Sequence, residues 1–158
     1  LQSKSTFQYA DKDPTAPLQV VVHIRRGDFT PCHVADRYLP NVYYLEALDQ
    51  YLPEFCNNGR GCNVTIYTER NPYEPVDPFL ERNYTVDFDS ALDDIWAAFV
   101  NSDVMIMSMS SFSFVPLTLN RNGTVITPYT DIEAWRHVNW PIWNHAMRVR
   151  ATQQTSCR

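Results

Sequence analysis

Short β-branched runs alternate along this chain with longer segments whose apolar residues have helical spacing. The run Leu18–Ile24 is rich in valine and predicts a buried strand. After it, apolar residues three and four positions apart over 41–52 predict a helix that starts after Pro40 and is stopped by Pro53. The polar, proline-containing segment 1–17 predicts an arm or linker ahead of the first strand.

The same alternation continues downstream. Further strands are predicted at 64–67, 84–88, 103–107 and 124–127, further helices at 90–99 and 111–119, and a loop at 71–78. Ser90 is predicted to cap the helix that it precedes. Because strands alternate with helices, we expect an α/β fold with a Rossmann-like parallel sheet flanked by helices over 18–130. A tryptophan-rich tail over 131–158 is expected to pack back on this domain.

Composition limits the classes of protein that this chain can be. It has 158 residues, of which 44% are hydrophobic, so one domain can bury a core. A net charge of −5 argues against a general nucleic-acid binder. No apolar run approaches the roughly 20 residues of a membrane span. Since the chain begins with Leu1, we expect a processed product or part of a longer protein.

The four cysteines predict two disulfides. Cys56 and Cys62 flank a turn-rich loop that lets their Cα atoms approach, which pairs Cys32 with Cys157. A zinc site is the alternative, but the spacing contains no CxxC pair. Three N-x-[ST] sequons predict glycosylation at Asn63, Asn83 and Asn122. Cysteines and sequons together favour a glycoprotein of the secretory pathway, in the Golgi lumen, secreted or at the cell surface.

The segment HIRRGD over 23–28 is the sharpest local feature. It stands where the first strand ends, and ligands bind at the carboxyl ends of parallel strands. Strand alternation sends His23 and Arg25 to one face and Arg26 to the other. An arginine fork beside a histidine suits a diphosphate, and Asp28 can hold such a fork still. A purely structural Arg–Asp pair, or an adhesive RGD tripeptide, are the alternatives.

This segment resembles the H-x-R-R-G-D motif of the GDP-fucose-dependent fucosyltransferases, a superfamily with α1,2, α1,6 and protein O-fucosyltransferase members. Four downstream segments are similar to those of the α1,2 group and occur in the same order: VADRYLP at 34–40, the acidic helix within 93–103, SSFS at 110–113 and GTVI at 123–126. The resemblance covers about 18–130. It implies the donor-binding, C-terminal half of a GT-B glycosyltransferase.

The resemblance also implies a donor, a glycan acceptor and a set of site residues. The donor is GDP-fucose, and neither a cofactor nor a metal is expected, because arginine neutralises the diphosphate. The implied donor-binding residues are His23, Arg25, Arg26, Asp28, Asp94, Ser110, Ser111 and Ser113. The implied catalytic residues are Arg25, Asp36 and His23. The serine turn opens a predicted helix, so its amides and hydroxyls also suit a phosphate on physical grounds.

Several of these assignments have open alternatives. Asp94 is expected to read the guanine, but Asp93 is its neighbour, and both acids can simply favour a helix N-terminus. The serines can be ordinary helix caps. Asp36 is the expected general base, with His33 as the other candidate, and Asp36 can instead form a surface pair with Arg37.

One departure from the superfamily affects the functional prediction. Its members have two Rossmann-like halves, whereas this chain begins just before the second half. We therefore expect a missing N-terminal half or a companion chain, and inefficient fucosyl transfer by the chain alone. The alternative function is a non-catalytic, glycosylated structural or interaction module derived from the transferase fold.

Overall fold

The computed structural model describes residue 9, residues 11–35, 37–121 and 123–128, and the backbone of 142–144. The strands are β1 (Leu18–Ile24), β2 (Cys62–Thr68), β3 (Thr85–Asp87), β4 (Val104–Ile106), β5 (Thr124–Thr127) and β6 (Ile142–Asn144). The helices are α1 (Asn41–Cys56), α2 (Asp77–Leu80), α3 (Leu92–Asn101) and α4 (Ser111–Leu117). No described helix is long and apolar enough to cross a membrane.

All strand pairings in the sheet are parallel, and the order is β3-β2-β1-β4-β5-β6. The chain is thus an α/β protein with a Rossmann-like sheet flanked by helices, as the sequence predicted. β1 pairs with β2 along its whole length and with β4 over Val20–Val22. The strand order reverses between β1 and β4, and such a switch point opens a crevice at the carboxyl ends of the strands.

The two faces of β1 build two separate cores. Val20, Val22 and Ile24 pack with α1, whereas Val21 packs with α3 and α4 around Phe99. This alternation follows from the two-residue period of a strand. Burying each such side chain contributes about 1.5–3 kcal/mol, so β1 is anchored on both faces. Its carboxyl end, where the HIRRGD segment begins, is therefore a rigid position.

Helix α1 does not stop at Pro53, and this part of the sequence prediction is wrong. Pro53 lies inside the helix, and the N–H of Asn57 donates to its carbonyl at 3.2 Å. Proline removes one helical hydrogen bond. The last turn persists because Phe55 packs on the core and because Cys56 is bonded to Cys62.

The start of α3 also differs from the prediction. The N-cap is Ala91, without a side-chain cap, and Ser90 does not cap the helix. The Ser90 hydroxyl instead donates to Asp87 at 2.5 Å, and its N–H donates to the same carboxylate at 2.9 Å. These hydrogen bonds, the hydroxyl first, lower the pKa of Asp87. Ser90 is thus hydrogen-bonded to Asp87, outside the helix, and does not cap α3.

The ends of the domain are more closely tied to the sheet than the sequence indicates. The N-terminal arm docks at the amino edge, where Lys12 Nζ lies 2.6 Å from Asp103 Oδ1. β6 extends the sheet beyond residue 130, so the predicted boundary between domain and tail falls within the sheet. The predicted loop at 71–78 contains the start of α2, where Pro78 sits in the first turn that tolerates proline.

Candidate functional site

His23 lies near the end of β1 at the switch point and is 4% exposed. Its ring packs between Phe99 and Phe112, with ring centroids at 5.5 and 5.1 Å. Its Nδ1 lies 2.8 Å from the hydroxyl oxygen of Ser108, just past β4. Burial, and then repulsion by the neighbouring arginines, lowers its pKa from 6.5 to about 3. His23 is therefore neutral at pH 7 and supports the serine turn rather than supplying a positive charge.

Two hydroxyls of the serine turn, those of Ser110 and Ser113, form hydrogen bonds with the backbone of the same turn. Ser110 is the N-cap of α4, and its hydroxyl accepts from the N–H of Phe112. Ser113 is fully buried and donates to the carbonyls of Ser108 and Ser110 at 3.4 and 3.1 Å. Ser111 is exposed at the first position of α4. The hydroxyl of Ser111 is thus the most accessible of the three predicted donor-binding serines.

Arg25 is half-buried and held in place by carboxylates from both sides. Its Nη1 lies 2.6 Å from Glu69 Oε1, and its Nη2 lies 2.5 Å from Asp28 Oδ1. The expected ion pair between Asp28 and an arginine is thus present. The guanidinium also lies over the Phe29 ring, 5.3 Å from its centroid. A guanidinium with so many fixed contacts is preorganised, so little rotamer freedom remains to be lost on binding an anion.

Arg26 points to the opposite face, as strand alternation predicts, and is 2% exposed. Its Nη2 donates to Glu74 and Asn41 at 2.9 and 2.7 Å, and its Nη1 donates to the carbonyl of Leu39 at 2.9 Å. It also stacks over Tyr38 at 4.5 Å. Glu74 in turn accepts from the Tyr38 hydroxyl and the Asn41 N–H. Because its guanidinium is enclosed, we assign Arg26 a structural role in joining β1, α1 and the segment around Glu74.

Of the acids predicted from the resemblance, the structure describes Asp28 and Asp94, and both are exposed. Asp94 is exposed in the first turn of α3, beside Asp93, which is exposed as well. Its charge is close enough to raise the pKa of Tyr67, at the end of β2, as a minor contribution after burial. Asp36, the predicted general base, lies outside the described residues, and its role stays a prediction. His33, the other candidate, is exposed, and its backbone N–H donates to the hydroxyl oxygen of Thr30.

A cleft of about 260 Å³ opens at the carboxyl end of β2. Glu69, the partner of Arg25, is one of its lining residues, together with Arg26 and Phe88. Arg70 stacks over the Phe88 ring at 4.5 Å and pairs loosely with Asp89. The cleft thus combines an aromatic face with charged groups, and it is linked to Arg25 through Glu69.

The predicted disulfide between Cys56 and Cys62 is present, with a Cα–Cα distance of 5.3 Å. Cys32 is disulfide-bonded as well, but its predicted partner Cys157 lies outside the described residues.

The sequon asparagines Asn63 and Asn83 are exposed and line one hollow of about 310 Å³. Their threonines, Thr65 and Thr85, are paired across β2 and β3. Asn122 lies outside the described residues. Glycosylation at all three sites stays a prediction.

Four residues that organise the site were not predicted: Phe29, Glu69, Glu74 and Ser108. One signal could have identified Glu69. β1 and β2 end in register at Ile24 and Thr68, so the residues that follow them, Arg25 and Glu69, are neighbours at one sheet edge. Opposite charges directly after two adjacent strands therefore indicate an ion pair. Glu74 and Ser108 carry no such local signal.

No protein-family model, no curated protein and no solved structure matches this chain. Among the described residues, no group of three histidine, cysteine, aspartate or glutamate side chains could hold a metal ion. The functional argument therefore depends on the geometry of the site and on the sequence motifs.

Proposed function

We propose that this domain binds GDP-fucose for inverting transfer of fucose to a glycan hydroxyl. The observation that carries the proposal is the meeting of two motifs at the switch point of the sheet. The HIRRGD segment follows β1, the serine turn follows β4, and the hydrogen bond between His23 and Ser108 joins them. Nucleotides bind in such crevices at the carboxyl ends of parallel strands.

The electrostatics support a diphosphate at this position. Arg25 supplies a charge fixed by Glu69, Asp28 and Phe29, which a planar guanidinium can direct at phosphate oxygens. In the proposal a phosphate oxygen replaces the Asp28 carboxylate as the acceptor of the hydrogen bond from Arg25 Nη2. Arg26 acts as a positioning residue, since its network with Glu74 fixes the segment from which Arg25 projects.

The chemistry proposed is a single displacement. The acceptor hydroxyl oxygen attacks the anomeric carbon of fucose, and the bond from that carbon to the β-phosphate oxygen breaks. GDP leaves with the electron pair of that bond, and Arg25 stabilises the charge that develops on the β-phosphate. The acceptor proton passes to a general base, for which Asp36 is our candidate. No metal takes part in this scheme.

Two further residues complete the proposed donor site. Asp94, exposed at the start of α3, accepts from the ring N–H and exocyclic amine of guanine. Ser111 contributes its exposed hydroxyl to the phosphates. The cleft lined by Glu69, the ion-pair partner of Arg25, offers space for the sugar.

The cell compartment and the partner half remain part of the proposal. A Cys56–Cys62 disulfide is compatible with the secretory pathway. We further propose that an N-terminal half or a companion chain closes the crevice and orients the acceptor. Positioning of this kind can supply about 7–11 kcal/mol of barrier reduction, so the chain alone is expected to transfer fucose poorly.

Calorimetric titration with GDP tests the proposed function. We expect GDP to bind, ADP to bind more weakly, and Arg25→Ala to lower the GDP affinity about 30- to 150-fold, the effect of losing a charge-assisted hydrogen bond. Arg82→Ala is the matched control, because Arg82 pairs with Asp49 away from the site. If the folded wild-type protein does not bind GDP at millimolar concentration, the proposal is wrong. The non-catalytic module is then the remaining explanation. Preference for ADP would remove Asp94 as the guanine reader.

A further inference from the structure

Two arginines share one aromatic ring at the edge of the proposed site. The Cζ of Arg25 lies 5.3 Å from the centroid of Phe29, and the Cζ of Arg37 lies 5.1 Å from it. The two guanidiniums are therefore at most about 10 Å apart. Phe29 is itself buried, so it is a fixed platform for both cations. Cation–aromatic stacking holds a guanidinium in place without neutralising its charge.

The charges at this edge of the sheet are distributed unevenly between the arginines. Arg25 is paired with two carboxylates, Arg26 with Glu74, and Arg70 with Asp89. Arg37 is exposed, and no described carboxylate pairs with it. Of the four arginines Arg25, Arg26, Arg37 and Arg70, Arg37 is thus the one that does not pair with a described carboxylate.

The loop that carries Arg37 has a strained backbone. Val34 has a φ of 62°, in the left-handed region that a β-branched residue rarely adopts. Its carbonyl accepts from the N–H groups of Arg37 and Tyr38 at 3.0 and 3.1 Å, which closes a turn. This turn brings Arg37 back onto Phe29. Strain of this kind persists where the surrounding structure requires one conformation, which is common in ligand-binding loops.

We propose that Arg37 is a second phosphate-binding residue, which holds a nucleoside diphosphate together with Arg25. This inference rests on the proposed function. Arg25 is paired with Asp28 and Glu69, so a second guanidinium that no described carboxylate neutralises strengthens the attraction for a diphosphate. Arg37 supplies a second guanidinium, with which no described carboxylate pairs, and stacking on Phe29 holds its planar fork at the ring that Arg25 also contacts.

The test compares ligands that differ only in phosphate. We would titrate wild type, Arg37→Gln and Arg37→Lys with GDP, GMP, guanosine and inorganic pyrophosphate. Arg37→Gln should weaken GDP and pyrophosphate at least tenfold and leave guanosine binding unchanged. Arg37→Lys should recover only part of the GDP affinity, because lysine keeps the charge but not the fork. The dependence of GDP affinity on salt should also become shallower in Arg37→Gln.

Arg121→Gln is the matched control for this experiment. Arg121 is likewise exposed and stacks over an aromatic ring, that of Tyr9, at 4.0 Å. It precedes β5 and therefore lies at the amino-terminal ends of the strands, away from Arg37. Its substitution should change none of the affinities. Equal GDP binding by wild type and Arg37→Gln would overturn the role of Arg37 while leaving the proposed function intact.

Pyrophosphate separates the two proposals if GDP fails to bind. Wild type that binds pyrophosphate in an Arg37-dependent manner, but not GDP, would refute the proposed nucleotide donor and retain the phosphate site. Wild type that binds neither ligand would overturn both. Equal loss of guanosine and GDP binding in Arg37→Gln would also contradict the inference, since it would indicate a general disturbance of the crevice.

Discussion

The imidazole Nδ1 of His23 and the hydroxyl oxygen of Ser108 lie 2.8 Å apart, and this hydrogen bond joins the ends of β1 and β4 where the strand order reverses. Both residues are almost completely buried. The contact links the arginine-bearing strand end to the serine turn, so the geometry of the crevice depends on a neutral histidine.

The first prediction concerns pH. Burial, followed by repulsion from Arg25, lowers the pKa of His23 from 6.5 to about 3. Between these values the unfolded state binds more protons than the folded state, so the contribution of His23 to stability is present above pH 6.5 and is lost as the pH falls toward 3. The loss approaches about 1.4 kcal/mol per pH unit. His23→Gln should flatten this slope in urea unfolding between pH 6.5 and 4.

His33→Gln serves as the control for the pH experiment. His33 is exposed, so its removal should leave the wild-type slope in place. A slope in His23→Gln equal to that of wild type would mean that His23 is not the group responsible.

The second prediction concerns the buried network of Arg26. Replacing Arg26 by methionine removes the cation that faces Glu74 and leaves polar groups without partners. We expect the free energy of unfolding to fall by about 3–5 kcal/mol. Arg26→Lys should rescue little, because lysine cannot reach several acceptors with one planar fork. Chemical denaturation measures both variants.

Arg82→Met is the comparison for Arg26. Arg82 pairs with Asp49 at 2.9 Å on the surface, and such pairs contribute about 0–1 kcal/mol. Similar losses in the two methionine variants would show that the Arg26 network is not a special source of stability.

The third prediction uses two glycines with left-handed backbones. Gly27 has a φ of 62°, and a Cβ there would lie 3.3 Å from Glu69 Oε1, whereas Gly59 has a φ of 86° and open space around it. Both alanine substitutions should cost about 1–2 kcal/mol of stability from the backbone alone. Gly27→Ala should also weaken GDP binding, because it displaces the carboxylate that fixes Arg25. If Gly59→Ala reduces GDP affinity equally, the effect does not come from Glu69.

The fourth prediction concerns the disulfide between Cys56 and Cys62. It closes a short loop with a sequence separation of 6, and the double substitution to serine should cost about 2 kcal/mol. Thermal unfolding with and without reductant measures this effect. We expect reductant to lower the unfolding temperature of the wild type and to leave that of the double variant unchanged. A double variant that is still destabilised by reductant would show that the disulfide of Cys32 also contributes to stability. Peptide mapping without reduction identifies which pairs form.

Much of the sheet could be predicted from local patterns. β1 and β5 have the predicted ends, because β-branched runs have a strong preference for buried strands. The ends of β2, β3 and β4 differ by one or two residues, α2 and β6 were not predicted, and two further errors fall at helix ends. At Pro53 the disulfide and core contacts extend α1, and at Ser90 the Asp87 carboxylate takes the hydroxyl that was expected to cap α3. Local propensities are too weak to decide such boundaries against contacts of this strength.

The site shows the same division between local and long-range information. Because side chains alternate along a strand, the sequence alone was enough to predict that Arg25 and Arg26, just after β1, face opposite sides of the sheet. Only the tertiary structure decided that Arg26 is enclosed while Arg25 remains half-exposed, since their partners Glu74 and Glu69 are 48 and 44 positions away. The sequence likewise identified the histidine, but its neutrality comes from Phe99 and Phe112, which the sheet topology brings against it. Side-chain direction is a local property of the backbone, whereas burial, pairing and pKa depend on which distant elements pack together.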